Sequence, residues 1–227
     1  MILFENVYKE YANGVMALYN LNLEIPAGDF VYLMGASGAG KSTLLKLLIR
    51  EEKPTRGRIL LDGEDITKIR KSRVPDLRRN VSFVFQDFRL LKRKTVFENV
   101  AYTLECQGAS RAEINNGVGE ALELVNLTGK EKDYPENLSG GENQRVAIAR
   151  AIANDAPILL CDEPTGNLDS ETAETIMQAL VNINLSGKTI IMATHATDIV
   201  EKIKQRVVTL SDGHVASDVR KEILCDI

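Results

Sequence analysis

Cysteine is scarce in this 227-residue chain: Cys106, Cys161 and Cys225 lie far apart, with neither disulfide-framework nor metal-ligand spacing. That excludes a stapled secreted scaffold and a zinc module, and it predicts reduced thiols in a cytosolic setting. Positive charge is also short. A formal net charge of −4 and a pI near 5.4 exclude a chain built to hold nucleic acid, where phosphate contacts demand a basic face. No apolar run approaches the roughly 18 residues needed to cross a bilayer, and no N-terminal signal pattern is visible. Any membrane role is therefore expected to come through a partner. Repeats, low-complexity segments and linkers are absent too, so one compact unit is expected over residues 1–227. Two basic clusters remain, Lys68 to Arg79 and Lys92-Arg93-Lys94. A solvated face is the plain reading of them, and nearness to anionic lipid the sharper one.

What the sequence does have is Gly35-Ala36-Ser37-Gly38-Ala39-Gly40-Lys41-Ser42-Thr43, which fits G-x-x-x-x-G-K-[ST] between an apolar run, Phe30 to Met34, and a helical pattern from Leu44 to Ile49. Chance would produce those four fixed positions in roughly one chain of this length in a hundred, and the strand before and helix after make chance rarer still. Glycine lets successive backbone N–H groups turn inward on a phosphate, and the following helix points its positive end at the same place. Lys41 is expected on the β/γ-phosphates of ATP. Ser42 is expected to offer its hydroxyl to Mg²⁺, a hard ion held by few protein oxygens.

Ile2 to Tyr8 and Met16 to Ile25 read as strands joined by a turn at Asn13-Gly14. Tyr11, just before that turn, is most cheaply explained by sheet packing, although a ring near the edge of a nucleotide site could also stack on adenine. Gly57 to Leu61 and Val81 to Phe85 are further strands, the latter ending at Gln86. From Thr95 to Val125 the apolar period becomes helical, and Ser110-x-x-Glu113 is a capping box that starts a second helix there. A third helix is predicted from about Glu142 to Ala153, after Leu138-Ser139-Gly140-Gly141, a tetrapeptide that serves as a cap or as a second anion site. Ile158 to Cys161 has the all-apolar pattern of a strand buried on both faces, and it ends in Asp162-Glu163. Ligands of open α/β sheets bind beside such strand ends, so this acidic pair is expected to face the phosphates. A helix with Ile176, Met177, Leu180 and Ile183 on one face comes next. Thr189 to Thr194 is another buried strand ending at His195, and Arg206 to Ser217 is a hairpin about Asp212-Gly213.

Gly35 to Thr43, Gln86, Leu138 to Glu142, Ile158 to Glu163, Asn167-Leu168-Asp169 and His195, in this order, resemble the nucleotide-binding subunit of ABC transporters over nearly the whole chain. The resemblance implies an α/β P-loop NTPase with a RecA-like parallel core, an N-terminal antiparallel β subdomain and a helical subdomain inserted at about 87–156. It also implies an ATP-dependent head-to-tail homodimer, each ATP lying between the P-loop of one copy and Ser139-Gly140-Gly141-Glu142 of the other. By position, Gln86 touches the metal or water, Asp162 supports Mg²⁺, and Glu163 polarises the attacking water. His195 contacts the γ-phosphate, Asp169 helps couple the two sites, and Tyr11 becomes the adenine-stacking ring.

The stretches Val74 to Arg79, Phe85 to Leu91 and Lys94 to Ala101 are most similar to the family's cell-division branch. Lipoprotein-release and macrolide-export relatives usually carry Pro and Leu where this chain has Lys92 to Lys94. The expected setting is peripheral, on the cytoplasmic face of the cell membrane and bound to a polytopic membrane protein. Phe88 and Leu91 are expected to floor the groove that receives this partner. A DNA- or ribosome-directed relative would need a long coiled coil or a second cassette, and a non-hydrolysing module would not need both Glu163 and His195.

Overall fold

The computed structural model describes residues 1–166 and 168–220; Asn167 and Cys225 lie outside them. Strands β1 (Ile2–Glu10) and β2 (Met16–Ile25) form an antiparallel hairpin about the turn at Asn13-Gly14, where Gly14 has a φ of 81°. β3 (Phe30–Met34) leads through the glycine-rich loop into α1 (Lys41–Leu48). β4 (Arg56–Leu61) and the two-residue β5 (Glu64–Asp65) complete a four-stranded antiparallel sheet in the order β2-β1-β4-β5. After the short α2 (Val74–Arg79) come β6 (Val81–Val84) and three helices, α3 (Val96–Gln107), α4 (Arg111–Leu124) and α5 (Gly140–Ile152). The chain then runs through β7 (Ile158–Asp162), α6 (Ser170–Leu185), β8 (Thr189–Ala193), α7 (Thr197–Lys202), β9 (Arg206–Ser211) and β10 (His214–Arg220).

The second sheet has the order β10-β9-β3-β8-β7-β6, parallel except for the edge strand β10. Its central strands bury both faces, and the two-residue period sorts their side chains between two cores. Phe30, Tyr32, Leu159, Cys161, Ile190 and Met192 face the helical layer of α3 to α6. Val31, Leu33, Ile158, Leu160, Ile191 and Ala193 face α1 and the antiparallel sheet. With a core on each side, the sheet can shift little, and its strand ends form a rigid edge for a site.

Three of the helices start in reciprocal caps: Thr95 with Glu98, Ser110 with Glu113, and Ser139 with Glu142 each exchange side-chain and backbone bonds. Each such cap stabilises its helix by about 1 kcal/mol. The Ser139 cap starts α5 at Gly140, two residues before the expected Glu142. Two helices had no clear signal in the sequence. α2 begins within a basic stretch and buries only Leu77, and α7 buries only Val200, so neither shows an apolar stripe.

Candidate active site

Because β3, β8, β7 and β6 are neighbours in one parallel sheet, their carboxyl ends converge on the loop before α1. Gly35 closes β3 with a φ of 147°, where a Cβ would come 2.4 Å from the carbonyl of Leu210. Gly40 caps α1 with a φ of 104°, and a Cβ there would meet the carbonyl of Ala17 at 2.5 Å. Only glycine fits either position. Between them the loop exposes Ala36, Ser37 and Gly38 and buries Ala39. The buried Lys41 folds back along the loop, its Nζ donating to the carbonyls of Gly35 at 2.6 Å and Ala36 at 3.0 Å.

A cleft of about 530 Å³ lies over this loop, bounded by Ser37, Gly38, Gly40, Lys41, Ser42 and Thr43 on one side and by Gln86, Glu163 and His195 on the other. Ser42 Oγ donates to Asp162 Oδ1 at 3.1 Å, which joins the start of α1 to the end of β7. Burial pushes the Asp162 carboxyl above its usual range, and nearby Glu163 adds to this; the Ser42 hydroxyl and the charges of Lys46 and Lys41 oppose it. A hydroxyl and a carboxylate so placed, with Gln86 across the cleft, form an all-oxygen donor set suited to a hard divalent cation such as Mg²⁺. Glu163 follows with a φ of 51°, unusual for a residue with a side chain, and its N–H still bonds to the carbonyl of Ala193. That backbone turns its carboxylate to His195, whose Nδ1 is 3.0 Å from Glu163 Oε1.

Tyr11 lies beside the same loop: its hydroxyl is 3.1 Å from Thr43 Oγ1, and Lys9 Nζ sits 4.8 Å from its ring centroid. Lys9 is itself buried and paired with Glu52 at 2.6 Å. Nothing in the sequence singled out Lys9, since the pair joins β1 to the loop that follows α1.

Five of the expected site residues stand elsewhere. Ser139 and Gly140 are exposed at the start of α5, and neither they nor Gly141 and Glu142 border the cleft. Gly141 instead lies against Leu168, where a Cβ would come within 3.3 Å. Asp169, also outside the cleft, caps α6 through Thr172, whose N–H and hydroxyl donate to it at 2.9 and 2.7 Å. Both groups lie on the outside of the molecule. A second groove, of about 580 Å³, opens beside β6. Leu91 lines it, as expected, but Phe88 does not; the rings of Phe83 and Phe85, stacked at 4.2 Å, form the apolar wall together with Tyr102.

A glycine loop leading into a helix, with a lysine, an acidic strand end and a parallel sheet behind it, defines the chain as a P-loop nucleoside triphosphatase. The family model described as ABC transporter matches residues 18–166, and the chain belongs to that family: it is an ATP-binding cassette, an ATPase. The chain is 48% identical over 218 residues to the cell division ATP-binding protein FtsE of Bacillus subtilis (strain 168), covering 96% of each. It is 46% identical to FtsE of Escherichia coli (strain K12), covering 98% of this chain and all of the relative. Among solved structures, the post-hydrolysis dimer of the ATP-binding cassette MJ0796 bound to ADP and Pi superposes with a TM-score of 0.90 at 39% identity, covering 97% of this chain and 98% of the other. The structure of cbiO1 from Clostridium perfringens, part of the ABC transporter complex cbiONQ, superposes with a TM-score of 0.87 at 31% identity, over 96% of this chain and 88% of that one.

Proposed function

We propose that the chain is the ATP-hydrolysing subunit of an FtsE-like complex, acting as a head-to-tail homodimer on a polytopic membrane protein of the FtsX kind and so serving cell division and the control of cell-wall hydrolases. The observation that carries this reading is the convergence of Lys41, Ser42, Gln86, Glu163 and His195 on one cleft, together with near full-length similarity to FtsE relatives. The loop amides and Lys41 hold the phosphates of ATP, and Tyr11 stacks on its adenine. Ser42, Asp162 and Gln86 hold Mg²⁺, which supplies neutralisation of the phosphate oxygens. Glu163 accepts the proton of the attacking water, and His195 bridges Glu163 and the γ-phosphate. The positions of Ser139, Gly140 and Asp169, exposed, and of Gly141 and Glu142, partly exposed, all away from their own cleft, suit donors to the cleft of a second copy. That copy completes the site.

Among the described residues no helix is long and apolar enough to cross a membrane. Attachment to the cytoplasmic face is therefore assigned to the partner, docked in the groove beside Phe83 and Phe85. Purification of the tagged chain from membranes tests the reading, with Mg²⁺-dependent phosphate release measured on the purified complex. Release without a co-purifying polytopic protein would remove the membrane assignment, and absence of release would remove the enzymatic one.

A further inference from the structure

The segment after Gln86 is held in a conformation its sequence does not favour. Phe88 and Arg89 are consecutive residues with φ of 59° and 48°, in the left-handed region, and neither is glycine. Two such residues in succession are strained and persist only where surrounding groups hold them. The holding group is Arg150, near the C-terminal end of α5. Its guanidinium forks onto the two strained peptides, one nitrogen donating to the carbonyl of Phe88 and the other to that of Arg89, both at 2.7 Å. The far end of the segment is fixed separately. Fully buried Asn99 on α3 accepts from the N–H of Leu91 and donates to the carbonyls of Leu91, Lys94 and Thr95. The Arg89 side chain then lies over the ring of Phe85, 3.8 Å from its centroid, and reaches Glu51 just beyond α1 at 3.7 Å. All three contacts meet within a few residues of Gln86.

Arg150 and Ser139 are on the same helix. The eleven steps from the cap at Ser139 to Arg150 span about 17 Å of helix axis at 1.5 Å per residue. One end of α5 thus carries the exposed Ser139 and Gly140, and the other grips the peptides two and three residues after Gln86. We propose that Arg150 is a positioning residue for hydrolysis: its fork locks the Gln86 loop to α5, so that engagement of Ser139 by a second copy sets the place of Gln86 in the cleft. The inference rests on the roles proposed for Gln86 and Ser139. A planar fork is needed because the two carbonyls belong to successive peptides. A lysine ammonium keeps the charge but offers no such paired geometry.

The test uses full-length Arg150→Lys and Arg150→Ala, each alone and combined with Gln86→Ala. Three readouts are steady-state ATPase kinetics, thermal unfolding, and hydrogen exchange of backbone amides in the peptide covering residues 87–91. For Arg150→Lys, kcat is expected to fall by about tenfold or more, as for a misplaced catalytic group, while KM for ATP stays within about twofold. Amides of 87–91 are expected to exchange about tenfold faster, with unfolding temperature little changed. In the Gln86→Ala background the lysine substitution should lower kcat no further. A further loss equal to that in the parent would show that Arg150 acts elsewhere, and unchanged exchange at 87–91 would overturn the clamp. If Arg150→Ala does not fold, the lysine variant carries the same comparisons. Wild-type turnover in Gln86→Ala alone would remove the role given to Gln86; the exchange readout then decides the clamp by itself, faster exchange supporting it and unchanged exchange overturning it.

Discussion

His195 Nδ1 lies 3.0 Å from Glu163 Oε1, although the two residues follow different strands, β8 and β7. The contact exists because those strands are parallel neighbours, with Asp162 opposite Ala193. It orients the carboxylate that the proposed mechanism uses as the base. Glu163→Gln keeps the side chain's size but cannot take a proton from water, so turnover should fall by about 10²–10⁴-fold, the usual contribution of a positioned base. ATP binding should survive. Size-exclusion chromatography should then show an ATP-stabilised dimer, and a wild-type hydrolysis rate in this variant would falsify the role assigned to Glu163.

Lys41 has its ammonium on the carbonyls of Gly35 and Ala36, at the mouth of the loop that would cradle phosphate. Lys41→Ala removes a charge-assisted bond worth about 1.5–3 kcal/mol, or roughly 10- to 150-fold in nucleotide affinity. Equilibrium titration with a fluorescent ATP analogue measures this. Undiminished affinity would mean that the loop does not bind phosphate as proposed.

Much of the fold and of this site was legible in the sequence because the signals are local. The glycine loop, the Ser110 cap and the acidic end of β7 each depend on residues close together in the chain. Arg150 was not legible, because its partners at Phe88 and Arg89 are backbone carbonyls about 60 residues away that point to it only through an unusual φ at each. Propensity does not encode such a conformation in Phe or Arg. The same limit applies to the groove beside β6. Phe88 and Leu91 look alike as apolar loop residues, and only the left-handed turn puts Leu91 in the groove and Phe88 out of it.

At the far edge of the parallel sheet, Arg206 on β9 joins Asp218 on β10 and Asp29 before β3. The Arg206 hydrogen bond, followed by its charge and that of Arg220, holds the Asp218 carboxyl below its usual range against the opposing effect of burial. A carboxylate whose folded pKa is depressed adds stability above its unfolded pKa, about 3.9, and loses it as pH falls through the folded value. Asp218→Asn should therefore lower stability at neutral pH and show a shallower loss on acidification from about pH 5 downward. Urea denaturation at pH 7 and pH 3 measures the difference. Equal destabilisation at both pH values would place the effect in packing and not in the ion pair.

Leu91 is 38% exposed and Tyr102 50% exposed, and both border the same groove as the stacked rings of Phe83 and Phe85. Large apolar side chains left open around a shared concavity are the composition of an interface core, and the surrounding Arg78 and Arg89 supply a polar rim. Because neither Leu91 nor Tyr102 is buried in this chain, replacing them should cost the isolated subunit little stability, within about 0.5 kcal/mol each. Their loss from the contact with a docked partner should cost more, about 1 kcal/mol or above for each if they lie at the interface centre. The double variant Leu91→Gln, Tyr102→Gln is thus expected to unfold at nearly the parental temperature and to bind ATP as the parent does, yet to lose the co-purifying membrane protein. Retention of the partner at parental yield would move the docking surface away from this groove, and a large fall in unfolding temperature would return the two side chains to the core of the chain itself.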